Sequence, residues 1–107
     1  MMFDELPAGA GVPQEIEALA RENFDLDGDD AARMPAMVWS DAPGAVRVRL
    51  VARDGARIVG VAIGSVVGTA GFLDLLVVVP DMRRRGIGSG LIGQWESRAT
   101  ALGAEAL

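Results

Sequence analysis

Arg83-Arg84-Arg85-Gly86-Ile87-Gly88-Ser89-Gly90 follows an apolar run, Leu75 to Val79, that Pro80 closes. That order of residue types suits a pyrophosphate. The uncharged run reads as a strand buried on both faces, and Pro80 ends it because a proline cannot donate to the ladder. Gly86, Gly88 and Gly90 leave backbone N–H groups unobstructed, and the helix they open presents further unpaired N–H groups at its positive end. Three arginines add permanent charge and fork-shaped donors that match phosphate oxygens.

Spacing excludes two better-known phosphate loops. No Gly-Lys-Ser or Gly-Lys-Thr follows the run, which rules out a nucleoside triphosphatase loop. A dinucleotide fingerprint would need a third glycine at another offset and an acid at the ribose position, and both are missing. The pattern that remains is Arg83-x-x-Gly86-x-Gly88, preceded by Val78-x-Pro80 and followed by Leu91-Ile92. In these residues the chain closely resembles motif A of the GNAT superfamily of N-acetyltransferases, and the resemblance is firm over roughly residues 72 to 103.

The resemblance implies an α+β fold: N-terminal helices, a three-stranded antiparallel meander, and a strand, glycine loop and helix that hold acyl-CoA. It implies acetyl-CoA as cosubstrate and no metal. The main chain of Leu76, Val77 and Val78 would run along pantetheine, and the N–H groups from Arg84 to Ser89 would hold the pyrophosphate. The full cofactor-binding set expected is Leu76, Val77, Val78, Arg83, Arg84, Arg85, Gly86, Ile87, Gly88, Ser89 and Gly90. Members of the family usually pass acetyl directly to an amine, without a covalent enzyme intermediate, so the absence of a cysteine nucleophile is no obstacle. A protonated amine must still lose a proton. Asp74 is the one acid in the strand, and by alternation it shares a face with Leu76 and Val78. It stands as candidate general base, or else as an edge or bulge residue bonded to backbone. The tyrosine that often protonates the leaving thiolate in this family has no counterpart here, because the chain contains no tyrosine.

The elements that must position this loop are legible in outline. Val12, Ile16, Leu19 and Ala20 recur at helical spacing behind Pro13, which predicts a helix over 13–23. Val46, Val48 and Leu50 alternate with Arg47 and Arg49, and Asp54-Gly55 is a hairpin signal, so 45–53 should pair with 56–67. A turn at Gly68 to Gly71 returns the chain into 72–79, whose end delivers the loop. Arg47, Arg49, Arg53 and Arg57 then read as a solvated face. Leu91, Ile92, Trp95, Ala99 and Leu102 line one face of a helix that Gly103 ends. Ala104 to Leu107 looks like entry into a further strand, so the chain reads as a single domain over 1–107 that is incomplete, truncated before the last strands of the fold. A further C-terminal segment or a partner chain is expected to complete the sheet.

Composition sets the outer limits. At 107 residues, half of them hydrophobic, the chain is one small globular domain. It has no Cys and no His, which removes disulfides, ordinary zinc sites and His-activated nucleophiles. Residues 1 to 41 carry ten acids against Arg21 and Arg33, while residues 42 to 107 carry five acids against eight arginines. The acidic part is no nucleic-acid surface. Asp25 to Asp30 mimics a calcium loop, but Asp30 stands where the glycine belongs and Ala36 where the glutamate belongs. The cluster would suit a cationic acceptor, although such runs are usually solvated loops. The sixteen uncharged residues from Ile58 to Leu73 are short of a membrane span and punctuated by glycines, so they read as two strands. With no secretory signal, a cytoplasmic location is expected, with no nucleic acid and no membrane as partner.

Three functions fit: an acetyl-CoA-dependent N-acetyltransferase acting on a small-molecule or peptide amine, a non-catalytic acyl-CoA-binding module or half of a tandem GNAT protein, and a basic-loop domain that binds polyanions or protein.

Overall fold

The computed structural model of the chain describes residues 1–7, 12–23, 39 and 43–106. Strand β1 is Met2–Glu5, helix α1 is Gln14–Asn23, and strands β2, β3 and β4 are Ala45–Asp54, Arg57–Val67 and Ala70–Val78. A 3-10 turn, Pro80–Met82, leads through the arginine-glycine loop into helix α2, Ile87–Ala101. The four strands form one antiparallel sheet in the order β1-β2-β3-β4. The meander stands as expected, with its strand ends moved by one or two residues. β1 is a correction, because helices were expected to come first. A four-residue strand carrying Asp4 and Glu5 lacks β propensity of its own, and it exists by pairing with residues 50–53 far along the chain.

Both hairpins turn on a left-handed glycine. Asp54 pairs with Arg57 around Gly55, whose φ is +62°, and Val67 pairs with Ala70 around Gly68, at +61°. A positive φ in the loop matches the right-handed twist of the flanking strands, and glycine adopts it without steric cost.

The two faces of the sheet are covered differently. A Cβ on Gly60 would lie 2.9 Å from Leu91, and one on Gly64 would lie 2.4 Å from the Trp95 ring and 2.2 Å from the Phe72 carbonyl oxygen. These glycines let α2 approach the sheet closely, with Ile87, Leu91, Trp95 and Ala99 buried beneath it. By register, Val48, Leu50, Ala52, Leu76 and Val78 share this face. On the opposite face Val51, Val61 and Ile63 are buried with Ile16 and Leu19 of α1 and with Trp39 in one core.

The strand arginines, expected on a solvated face, are solvated only in part: Arg57 is exposed, whereas Arg49 is buried on that second face. Arg49 is 5% exposed, with its guanidinium 5.7 Å from the Trp39 ring centre. Arg47, Arg53 and Arg57 pair with Asp74, Asp4 and Asp81. Alternation placed the four on one face, but the aromatic cover comes from residue 39, outside the strand pair. After α2, Gly103 takes φ +105° and the chain returns to β4. There Ala106 forms a parallel bridge with Ala70, and Gly71 N–H donates to Ala106 O at 2.7 Å. Among the described residues no helix is long and apolar enough to cross a membrane. The acidic cluster at 25–30 and the interrupted helix around Pro35 lie outside the described residues.

Candidate functional site

The end of β4, the loop and the start of α2 enclose a groove of about 430 Å³. Leu76, Val77 and Val78 line one side of it, and Gly86, Ile87, Gly88 and Ser89 line another. Arg83 and Arg84 reach it from the loop, and Met82 and Asn23 complete the wall. Nine of the eleven residues expected at the cofactor site therefore meet in one place. Arg85 and Gly90 do not line this groove; they line a second hollow across the loop, with Gly86 and Ile87 common to both. Gly90 also spends its N–H on Gly86 O, at 2.9 Å, so that group is closed to an anion.

The groove has the polarity its sequence suggested. Beside the bridge at Ala70, the bond from Gly71 and the Arg83 bond to Val78 O, no described residue pairs with the outer edge of β4, so the remaining backbone groups of that edge near Leu76 and Val78 face the groove. Ile87, Gly88 and Ser89 form the first turn of α2, where N–H groups have no intrahelical acceptor, and no side chain caps the helix. Gly86, at φ +78°, and Arg84, at φ +65°, are both left-handed. For Arg84 this conformation carries a steric cost, of the kind that concentrates in ligand-holding loops. A Cβ on Gly88 would meet only Val78 Cγ2, at 3.8 Å, and would otherwise project into open space. Shape and donors together fit a thin, anionic, extended molecule.

Arg83 is built into the frame. Its Nε donates to Val78 O at 3.1 Å and its NH2 to Asn23 Oδ1 at 2.9 Å, while Asn23 Nδ2 donates to Leu19 O at 2.8 Å. One guanidinium thus ties the end of β4 and the end of α1 to the loop. Sequence reasoning missed Asn23, which lies sixty residues away along the chain; its one local signal is an amide closing a helix next to a loop. Met82 was missed as well, although it sits beside the motif.

Asp74 stands where alternation did not put it. Ile63 pairs with Leu75 and Gly64 with Leu73, so Asp74 is an extra residue, a β-bulge in β4. The bulge resets the alternation. Asp74 Oδ2 accepts from Arg47 NH1 at 2.8 Å, on the Arg49 and Ile63 face and away from Leu76 and Val78. Its side chain is 33% exposed and Arg47's 16%. It is thus a bulge residue, bonded to a side chain where backbone had been the alternative.

At the mouth of the loop, Arg57 donates two hydrogen bonds to Asp81, at 3.0 and 3.1 Å. Those bonds hold the Asp81 carboxyl below its usual range and raise Arg57 above its own.

The sequence profile of the Acetyltransferase (GNAT) family matches residues 13–107. No curated protein matches the sequence. Among solved structures, an aminoglycoside 6'-N-acetyltransferase complexed with coenzyme A superposes with a TM-score of 0.78 at 23% identity, over 97% of this chain and 58% of that one. An aminoglycoside antibiotic 6'-N-acetyltransferase from Acinetobacter haemolyticus gives 0.75 at 18%, over 99% of this chain and 76% of that one. A tandem GNAT protein from the clavulanic acid biosynthesis pathway gives 0.68 at 21%, over 96% of this chain and 34% of its own. At these identities the likeness is one of fold, and the chain spans little more than half the length of the first of these structures.

Proposed function

The chain belongs to the GNAT family of acetyltransferases, and from that premise we propose that it binds acetyl-CoA in the groove between β4 and α2 and transfers acetyl to an amine. The observation that carries this is the joining, in one groove, of a strand edge that pairs with no further described strand near Leu76, with the uncapped first turn of α2 at Ile87 to Ser89. Acetyl-CoA supplies an acyl thioester, which an amine can attack directly. The chain's own residues bind the coenzyme, frame the loop and move a proton. Backbone N–H and C=O groups of β4 hold the amides of the pantetheine arm, while the N–H groups of Ile87, Gly88 and Ser89, with Arg84 beside them, hold pyrophosphate oxygens. Arg83 and Asn23 keep strand and loop at the separation this needs. As the new C–N bond forms the C–S bond breaks and coenzyme A leaves as its thiolate; Asp74, at the β4 bulge outside the groove lining, takes up by way of water the proton that the amine loses. Arg47 holds the Asp74 carboxylate in place, and an acceptor amine would share it.

The acceptor to try first is read from the structural neighbours: the aminoglycosides named for two of them are polyamines. A non-catalytic half of a larger acyl-CoA-binding protein is the second reading, supported by the lack of any tyrosine to protonate the thiolate.

Calorimetric titration with CoA tests the binding step. Saturable binding at a salt concentration where inorganic phosphate does not compete is expected, and its absence would leave only the basic-loop reading. Transfer of radiolabelled acetyl to a panel of polyamines separates the first reading from the second. Binding without transfer to any amine would retire the enzyme in favour of the module.

A further inference from the structure

Helix α2 is intrinsically weak at the end that lines the groove. Gly88, Gly90 and Gly93 fall in its first two turns, the residue before it, Gly86, is left-handed, and no side chain caps it. Glycine is the poorest helix former after proline, and an uncapped end lacks the bonds that would hold its first turn. The N–H groups of Ile87, Gly88 and Ser89 aim together into the groove only while something outside the helix keeps that turn in shape. Ile87 and Leu91, both buried, fix the side that faces the sheet. Strand β1 holds the flank. Where a Gly90 Cβ would stand, the three nearest atoms beyond the helix backbone all belong to the Phe3 ring, the first at 2.7 Å, so the ring takes the place of the missing side chain. It rests on the turn that Gly90 N–H closes by donating to Gly86 O at 2.9 Å. By register Glu5 shares the Phe3 face, pairing with Leu50 as Phe3 pairs with Ala52, and its Oε1 accepts from Arg98 Nε at 2.6 Å in the last turn of α2. One short strand thus touches the helix at both ends, and its apolar contact falls on the end that lines the groove.

We propose that Phe3 is a positioning residue for coenzyme binding: its ring on Gly90 holds the first turn of α2 in the conformation that aims the N–H groups into the groove, so that the pairing of β1 and the occupancy of the groove support each other. This rests on the reading of the groove as the coenzyme site. β1 is four residues long and, among the described residues, pairs with β2 alone. A short edge strand of that kind opens at low free energy, by itself and without unfolding the rest. Linkage makes the coupling reciprocal: whatever closed β1 adds to coenzyme affinity, bound coenzyme adds to the closure of β1. Phe3 and Gly90 form a fitted pair in this arrangement. A methyl group at position 90 improves the helix but meets the ring, and with the ring gone it fills part of the same space.

The test is a double-mutant cycle between Phe3 and Gly90, read by calorimetric titration of CoA and by amide hydrogen exchange. Phe3→Ala should weaken CoA about tenfold, a usual size for coupling between sites, and Phe3→Leu should recover most of the loss. Gly90→Ala should improve CoA binding in the Phe3→Ala background by more than it does in the wild type. Glu5→Gln, at the other end of α2, should leave affinity within about twofold of wild type, because the pair it breaks is exposed. In ligand-free Phe3→Ala the amides of Gly90 and Leu91 should exchange at least about tenfold faster while that of Ala99 keeps its rate, since local opening moves only the turn that is released. Wild-type CoA affinity in folded Phe3→Ala, the same effect of Gly90→Ala in both backgrounds, or equal acceleration along the whole helix would overturn the proposal and leave the groove reading intact. Exchange in the free protein needs no ligand, so it decides whether β1 holds the turn even if CoA fails to bind, which is the outcome that removes the groove reading. One arm needs no variant. Saturating CoA should slow exchange of the Leu6 N–H, bonded to Arg49 O at 2.8 Å at the end of β1, and an unchanged rate there refutes the coupling even if Phe3→Ala does not fold.

Discussion

A Cβ at Gly88 has room in the protein and none in the groove once a ligand lies along Val78, so Gly88→Val should separate folding from binding. We expect its Tm to stay within a few degrees of wild type and its CoA affinity to fall at least tenfold; calorimetry on the folded variant showing unchanged affinity would sink the phosphate-loop assignment. Gly86→Ala acts differently, because the space is open but φ +78° penalises any side chain. It should lose about 1 kcal/mol of stability by the left-handed backbone cost, measured by urea unfolding. Asp74 is argued on rate. Asp74→Asn keeps an acceptor for Arg47 but cannot take a proton, so kcat for the best acceptor should drop at least tenfold with CoA affinity unchanged, and a wild-type kcat would return Asp74 to a purely architectural role.

Elements meet at a few residues whose loss should be felt at a distance. The Arg83 guanidinium joins β4, the loop and α1 through Val78 O and Asn23 Oδ1. Asn23→Ala removes the α1 anchor and should weaken CoA severalfold by freeing the loop, whereas Asn23→Asp keeps an acceptor for Arg83 and should restore most of the affinity. Equal losses in the two variants would mean that Asn23 serves only its own helix. Gly64 governs how closely α2 sits on β3. With a carbonyl oxygen and the Trp95 ring both inside 3 Å of its missing Cβ, Gly64→Ala should destabilise by about 1–3 kcal/mol, the usual cost of overpacking. Chemical denaturation of that variant measures it. The Arg57–Asp81 pair links the start of β3 to the turn before the loop. The Asp81 carboxyl, lowered by its bonds to Arg57, adds stability that is present above the unfolded carboxylate range, near pH 4, and is lost as pH falls through its lower folded value. Arg57, raised in turn, contributes below its unfolded value and so stays charged throughout the working range. The Tm of wild type should therefore exceed that of Asp81→Asn by a small margin near neutral pH and approach it below pH 3, with the margin shrinking in high salt because both groups are exposed.

At the scale of the whole molecule, coenzyme binding and folding are linked through the same loop and helix. α2 closes one face of the sheet and forms the wall of the groove, so a ligand that binds only the folded state must raise the Tm. The gain should equal ~2.7 kcal/mol of stability at a hundredfold excess of CoA over its dissociation constant. A thermal melt with and without CoA checks this, and inorganic phosphate at the same concentration should reproduce little of it. Among the described residues the length of β4 beside the groove pairs with no further strand, and an edge in that state favours association between copies. CoA should therefore lower the concentration-dependent light scattering of the protein as well as raise its Tm.

The glycine loop, the helix behind it and the meander in front of it were all determined by the sequence itself, because each depends on local chemistry. Proline and glycine restrict or release φ at their own positions, and period-two and period-3.6 apolar spacing specify a strand and a helix without reference to the rest of the chain. What only the tertiary structure decided involves partners distant in sequence. Asn23 reached the groove through a guanidinium sixty residues away, and Trp39 buried a strand arginine that alternation assigned to water. The four residues of β1 became a strand by pairing across the sheet. One inserted residue in β4 turned Asp74 to the opposite face, and no periodicity argument detects a bulge, since a single extra residue leaves composition unchanged while inverting every later side chain. The same loop residues, read together as one site, divided between two cavities for a similar reason. A turn with two left-handed residues sends consecutive side chains to opposite sides, and which side faces what is settled by where α1 and β1 come to rest.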